Sequence, residues 1–175
     1  MLPAHPSWQE VEAANAEVCT LLDGRSPERL VDMPLMDDPD REALMRLLEA
    51  LFAPAFVTSP NLLLLYLARM TALSLRHGNT SASVSGYAWY GLVLGASLRR
   101  YEEGYAFGQL ARALVEHRGL AALRAKAIFG LELLSYWTRP LTTALELARE
   151  ALQHALRDSD SQVAGYCCNH IVSNR

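Results

Sequence analysis

Apolar positions recur three and four residues apart along almost the whole chain, the spacing of a helix face. Ser7 followed by Glu10 forms a capping-box pattern and predicts a helix over Trp8–Leu22, ended by Asp23-Gly24. Ser26-Pro27 predicts a short helical turn to Val31, and Met33–Asp38 reads as a connector. Asp38-Pro39 opens the next helix, with Leu44, Leu47, Leu48 and Leu51 as its apolar stripe. Ser59-Pro60 opens a helix over Asn61–His77 that is apolar nearly all round, the mark of burial on several sides. Gly78 is placed to close it in a left-handed conformation. Thr80, Ser81 and Ser83 offer caps for a helix to about Leu98. Further helices are predicted over Tyr101–Arg118, Leu120–Trp137, Leu141–Arg157 and Gln162–Val172. The expected fold is therefore all-α, with about seven to eight helices arranged as antiparallel pairs.

Composition narrows the class without naming a function. The chain has 175 residues, about one domain, with 51% hydrophobic and 20% charged residues and a net charge of −3. The acidic balance argues against a nucleic-acid partner or an anionic membrane surface, both of which need a basic face. The longest obvious apolar run, Leu62 to Ala68, stops at Arg69, well short of the roughly 20 residues of a spanning helix. The first twenty residues lack the pattern of a secretory signal. Three cysteines, Cys19, Cys167 and Cys168, cannot all pair with one another, which favours a reduced, cytoplasmic setting.

The helices carry an internal repeat. Gly104, Gly108 and Ala111 match Ala144, Ala148 and Ala151 at an offset of 40, and a weaker copy falls on Leu64, Ala68 and Thr71. Small residues at i, i+4 and i+7 share one helix face and admit a close neighbour. The chain thus resembles the tetratricopeptide repeat superfamily, with units a few residues longer than its usual 34. That resemblance implies helix pairs stacked as a superhelix. Residues 1–34 are expected to form an N-terminal helix and connector, and residues 35–175 one continuous repeat segment.

A narrower resemblance rests on Leu35-Met36-Asp37-Asp38-Pro39, Leu73-Ser74-Leu75-Arg76-His77-Gly78-Asn79 and Ser85-Gly86-Tyr87-Ala88-Trp89-Tyr90-Gly91. Tyr101-Glu102-Glu103-Gly104-Tyr105-Ala106-Phe107-Gly108 and Tyr136-Trp137-Thr138-Arg139-Pro140 continue it. In this order they are similar to the helical region that follows the AAA/STAND-type ATPase module of multidomain signalling proteins. Those proteins join a serine/threonine kinase-like domain to a sensor histidine kinase. The resemblance implies an excised middle segment with a non-catalytic role: a scaffold or sensor that engages protein partners or neighbouring domains of a parent chain. The phosphate-binding loop and kinase motifs are themselves missing from this sequence, so no catalytic residue and no cofactor are carried over.

Candidate chemistry is sparse. Cys167, Cys168 and His170 suggest metal ligands, but on a helix only Cys167 and His170 share a face, and four ligands are wanted. His154, on another predicted helix, is the one further candidate ligand nearby, and packed helix is the expectation. His77 and His117 sit near helix C-termini, where a cation suits the dipole. No serine or cysteine is accompanied by a base and an orienting acid at recognisable spacing. The aromatic cluster Tyr87, Trp89, Tyr90, Tyr101, Tyr105 and Phe107 has two readings. It packs between helices, with Gly86, Gly91, Gly95, Gly104 and Gly108 making room for rings. Alternatively, Tyr87, Tyr90, Tyr101 and Tyr105 line a groove for a peptide or small molecule. Finally, the apolar residues of the first and last helices suggest self-association, as a homodimer through an end helix.

Overall fold

The structure is a computed structural model that describes residues 5–174, and those residues form an all-α fold. In chain order the helices are α1 (Trp8–Leu22), α2 (Pro39–Ala50), α3 (Phe52–Thr58), α4 (Pro60–His77), α5 (Ser81–Ala96), α6 (Tyr101–Arg118), α7 (Arg124–Ser135), α8 (Leu141–Arg157) and α9 (Ser161–Ser173). Short 3₁₀ segments, Pro27–Asp32 and Ala121–Leu123, precede α2 and α7. The count exceeds the sequence expectation by one because α3 forms where no helix was anticipated. Leu51 caps both α2 and α3 with helical angles, so the chain bends without a breaker.

Local signals set most helix starts. Ser7 Oγ accepts from the Glu10 amide while the Glu10 carboxylate accepts from the Ser7 amide at 2.8 Å, a complete capping box. Asp38 Oδ1 accepts from the Asp40 and Arg41 amides ahead of Pro39, and Asp160 Oδ1 accepts from the Val163 amide. At α5 the Thr80 amide donates to Ser83 Oγ at 2.9 Å. Gly78 differs from expectation. Its φ of 101° and ψ of 171° are not left-handed helical but lie in an extended region open almost only to glycine. The Pro34 carbonyl explains the choice: a Cβ at residue 78 would sit 2.5 Å from that oxygen.

The strand-like connector makes this contact necessary. Leu35 and Asn79 form an isolated parallel bridge, in which the Met36 amide donates to the Asn79 carbonyl and the Asn79 amide to the Pro34 carbonyl. Asn79 is also a buried side-chain junction. Its Nδ2 donates to the Leu30 carbonyl at 2.8 Å, and its Oδ1 accepts from the Tyr87 hydroxyl at 2.7 Å. One residue therefore ties the connector, the α4–α5 turn and the middle of α5 together.

The repeat expected from the sequence is visible as register. Helices α5, α7 and α9 run parallel in one layer: Gly130 abuts Ala88, and Lys126, Phe129 and Glu132 meet Asp160, Tyr166 and His170. Arg112 of α6 reaches Glu150 of α8 at 2.9 Å in the other layer. Contacts about forty residues apart are what stacked two-helix units of that period produce. The neighbouring helices α5 and α6 approach backbone to backbone. A Cβ on Gly91 would lie 2.5 Å from the Gly104 carbonyl, and one on Gly104 would meet the Gly91 carbonyl equally closely. At this crossing the glycines make room for each other's main chain. Gly95, by contrast, makes room for the Trp137 ring, as the sequence suggested.

Helix α1 is part of the same core. It lies parallel to α4, with Asn61 donating to the Pro6 carbonyl and Glu17 paired with both Arg69 and Arg76. Val11, Ala14, Val18 and Leu22 share one apolar cluster with Leu65, Tyr87, Phe107 and Leu114, and Leu30 of the first 3₁₀ segment joins it. Residues 1–34 and 35–175 are thus continuous in packing wherever they are described.

Candidate functional site: an aromatic trough over α5 and α7

The four tyrosines do not line one concave surface. Tyr87 and Tyr90 are 0% and 1% exposed and pack against Phe107, with centroid distances of 5.9 and 5.2 Å. Burial raises both phenol pKa values above the ordinary range. Tyr90 is closed off by α1, whose Asn15 accepts the hydrogen bond of its hydroxyl, and Tyr87 by the α4–α5 turn, where Asn79 accepts from its hydroxyl. Tyr90 contributes only to the wall of a smaller hollow of about 420 Å³ beside Trp8, Asn15 and Cys19. Tyr101 and Tyr105 sit in the amino-terminal part of α6, Tyr105 in the separate apolar cluster that α7, α8 and α9 form. Tyr101 stacks on Trp137 at 5.9 Å, and the Arg139 guanidinium lies 4.1 Å over the Tyr105 ring. For Tyr87, Tyr90 and Tyr105 the packing role accounts for what each ring touches.

The large concavity lies elsewhere, with a volume of about 780 Å³. Its floor is Met70 of α4, Val84, Ser85 and Ala88 of α5, and Ala127 of α7. Small side chains keep the floor low, and Gly130 against Ala88 draws α5 and α7 together beneath it: an added Cβ at residue 130 would come within 2.9 Å of the Ala88 methyl. One wall is Phe52 and Phe56 of α3 with Trp89, the Phe52 ring being 4.7 Å from Trp89 and 6.0 Å from Phe56. The opposite wall is Phe129, Leu133 and Tyr166, with Phe129 stacked on Tyr166 at 5.7 Å. Helix α3 carries no charged residue, and its Phe56 and Val57 are 61% and 79% exposed. Exposed large apolar groups gathered on the rim of a concavity mark a binding surface. The volume falls inside the roughly 300–1,000 Å³ of ligand pockets.

Polar groups gather at one end. The parallel register of α5, α7 and α9 sets Ser85, Lys126 and Gln162, all in or near first turns, side by side. Glu49 joins them from α2, its carboxylate accepting from Ser85 Oγ at 2.6 Å. Lys126 Nζ is 4.0 Å from Asp160, the outer limit of an ion pair.

Behind the α9 wall is a buried acid that the sequence analysis did not single out. Glu132 is 0% exposed. Its carboxylate accepts from the Tyr136 hydroxyl at 2.5 Å, and both oxygens lie 3.1 Å from His170 Nδ1. Asn174 donates to the same Tyr136 hydroxyl. Burial, then the bond to Glu132, raises the Tyr136 pKa. Cys167 shares this face of α9. Burial and then the Glu132 charge push its thiol up to about 12, while Cys168 points outward. The cluster is a carboxylate–imidazole–phenol network that pins α9 to α7. Among the described residues no three potential ligands of the His, Cys, Asp and Glu type converge as a metal site. A signal existed: Glu132 is a lone acid in the apolar run Leu131–Leu134, with His170 one repeat further on.

Comparisons with protein-family models, with curated proteins and with solved structures give no match. No described helix is long and apolar enough to cross a membrane.

Proposed function

We infer that this chain is a non-catalytic helical-repeat recognition segment, in which occupancy of the α3–α5–α7–α9 trough is the event passed to a larger signalling protein. The aromatic trough carries the reading: a low floor of small side chains between two aromatic walls. The resemblance of the sequence to the helical region beside signalling ATPases supports the wider context. The sensing reading, in which a small molecule binds an aromatic groove, takes its site here, since volume and lining suit an apolar ligand. Free cysteines support a reducing, cytoplasmic setting.

Trp89 provides the test, because it is part of the wall. In a Trp8→Phe/Trp137→Phe background, the neutral fluorophore N-phenyl-1-naphthylamine should bind saturably and quench Trp89 by energy transfer. Phe56→Glu places a charge on an exposed wall position and should weaken binding at least ten-fold without altering helicity. Absence of saturable binding, or indifference to Phe56→Glu, counts against the reading. Self-association belongs to the same proposal. Leu141 and Leu156 on α8 and Val172 on α9 are exposed and favour the carboxyl-terminal pair as the contact surface. A strictly monomeric species in sedimentation at high concentration would exclude it.

A further inference from the structure

We propose that the trough binds an organic cation, an alkylated ammonium whose charge lies beside Glu49 and Trp89 and whose hydrocarbon chain runs along the apolar floor. The inference rests on the trough being the recognition surface and names its ligand class. Two observations carry it. The first is unmet charge. The charged side chains lining the trough are Glu49 and Lys126. Lys126 has its counter-charge in Asp160, 4.0 Å away, while the other Asp160 oxygen caps α9. Glu49 has none: among the described residues no Lys, Arg or His nitrogen lies within ion-pair distance of its carboxylate. It is half-buried, and it accepts a hydrogen bond from Ser85 Oγ at 2.6 Å. A partly dehydrated carboxylate without a partner gains from a cation brought to it.

The second observation is the company that carboxylate keeps. Ser85 and Trp89 are four residues apart on α5 and share a helix face, which sets the indole one turn from the Glu49 carboxylate. Phe52 leans on Trp89 at 4.7 Å with the ring planes 41° apart, and Phe129 and Tyr166 form the opposite wall. Aromatic faces carry partial negative charge and attract cations, indole most strongly. The cation that does sit over a ring in this chain, Arg139 on Tyr105, lies outside the trough. Rings and carboxylate therefore act on a guest with the same sign. A compact ammonium holds its water tightly. A quaternary ammonium does not, and it exchanges that water for methyl–ring contacts while its alkyl chain covers Met70, Val84 and Ala88.

The test compares guests that differ in charge. The full chain in the Trp8→Phe/Trp137→Phe background is titrated with octyltrimethylammonium, octanol and octanoate, each kept monomeric in solution. Binding is read by calorimetry and by Trp89 emission. The quaternary ammonium should bind about ten-fold more tightly than the alcohol, with octanoate weakest. Glu49→Gln should remove most of that advantage and leave octanol unchanged. Trp89→Leu, which keeps an apolar wall but no ring, should cut the advantage about three-fold in calorimetry. Circular dichroism establishes that each variant keeps its helicity. Equal or tighter binding of octanol or octanoate overturns the proposal, as does a Glu49→Gln or Trp89→Leu protein that keeps the full ammonium preference. Binding of the neutral naphthylamine without any ammonium preference overturns the ligand class alone, whereas failure of every probe, the naphthylamine included, overturns the trough as well.

Discussion

Asn79 bears more of the fold than its position in a turn suggests, and its removal makes a demanding test. Asn79→Ala leaves the backbone bridge to Pro34 and Met36 intact but orphans the buried Tyr87 hydroxyl and strips the Leu30 carbonyl of one of its two donors, leaving it the Met33 amide. A buried polar group deprived of its partner costs about 1–3 kcal/mol, and the lost second bond to the Leu30 carbonyl adds to it, so the expected loss is about 2–3 kcal/mol. For a chain of this size that corresponds to a fall in Tm on the order of 10 °C. Tyr87→Phe removes one hydrogen bond and orphans only Asn79 Oδ1, for about 1–2 kcal/mol. The double variant no longer carries the stranded hydroxyl. Its cost should fall short of the sum by about 1 kcal/mol, the coupling expected of residues in direct contact. Urea denaturation of the four proteins measures this, with unchanged m-values required for the comparison. An Asn79→Ala loss below about 1 kcal/mol, or additivity within about 0.5 kcal/mol, would refute the junction.

Other outcomes follow from the same structure. Gly91→Ala should destabilise by about 1–3 kcal/mol because its methyl meets the Gly104 carbonyl, whereas Gly165→Ala, which meets nothing within 4 Å on exposed α9, should stabilise by about 0.5–1 kcal/mol in the same urea assay. Thr71→Val should add about 1 kcal/mol, since the buried Thr71 hydroxyl finds no partner among the described residues and valine preserves its shape. In the native protein at pH 8, Cys168 should react with a disulfide reagent within seconds to minutes. Cys167, with its thiol at about 12, is thiolate in only about one molecule in ten thousand and should react on unfolding. Tyr87 and Tyr90 have raised folded-state pKa values, so the stability they confer is fully present below the ordinary phenol value of about 10 and is lost above it. Spectrophotometric titration should show their ionisation only as helicity collapses.

The helix boundaries were legible because they are local chemistry. Ser7 with Glu10, Asp38 before Pro39 and Ser59 before Pro60 act within one turn, and each does what its pattern predicts. The forty-residue period was legible too, since small residues must recur wherever helices touch closely. What stayed hidden depends on distant partners. Tyr87 and Tyr90 have the spacing of either a groove or a core. The choice was made at Tyr90 by Asn15 of α1, 75 residues away, and at Tyr87 by the Asn79 junction, which itself ties in Leu30 from 49 residues away. The trough draws its walls from α3, α5, α7 and α9, and no local pattern announces such a convergence. Helix α3 escaped notice because Phe52–Thr58 contains Pro54 and no charges, which reads as a connector until α4 and α5 give its rings something to cover.

The reciprocal contact of Gly91 and Gly104 has a mechanical consequence. Two helices whose main chains touch have no side-chain cushion over which to slide, so the middle of the stack behaves as a stiff beam. A guest wedged above it cannot spread the beam. It must instead push on what overhangs, the short α3 on one side and α9 on the other. Those two levers are where such a push would be taken up.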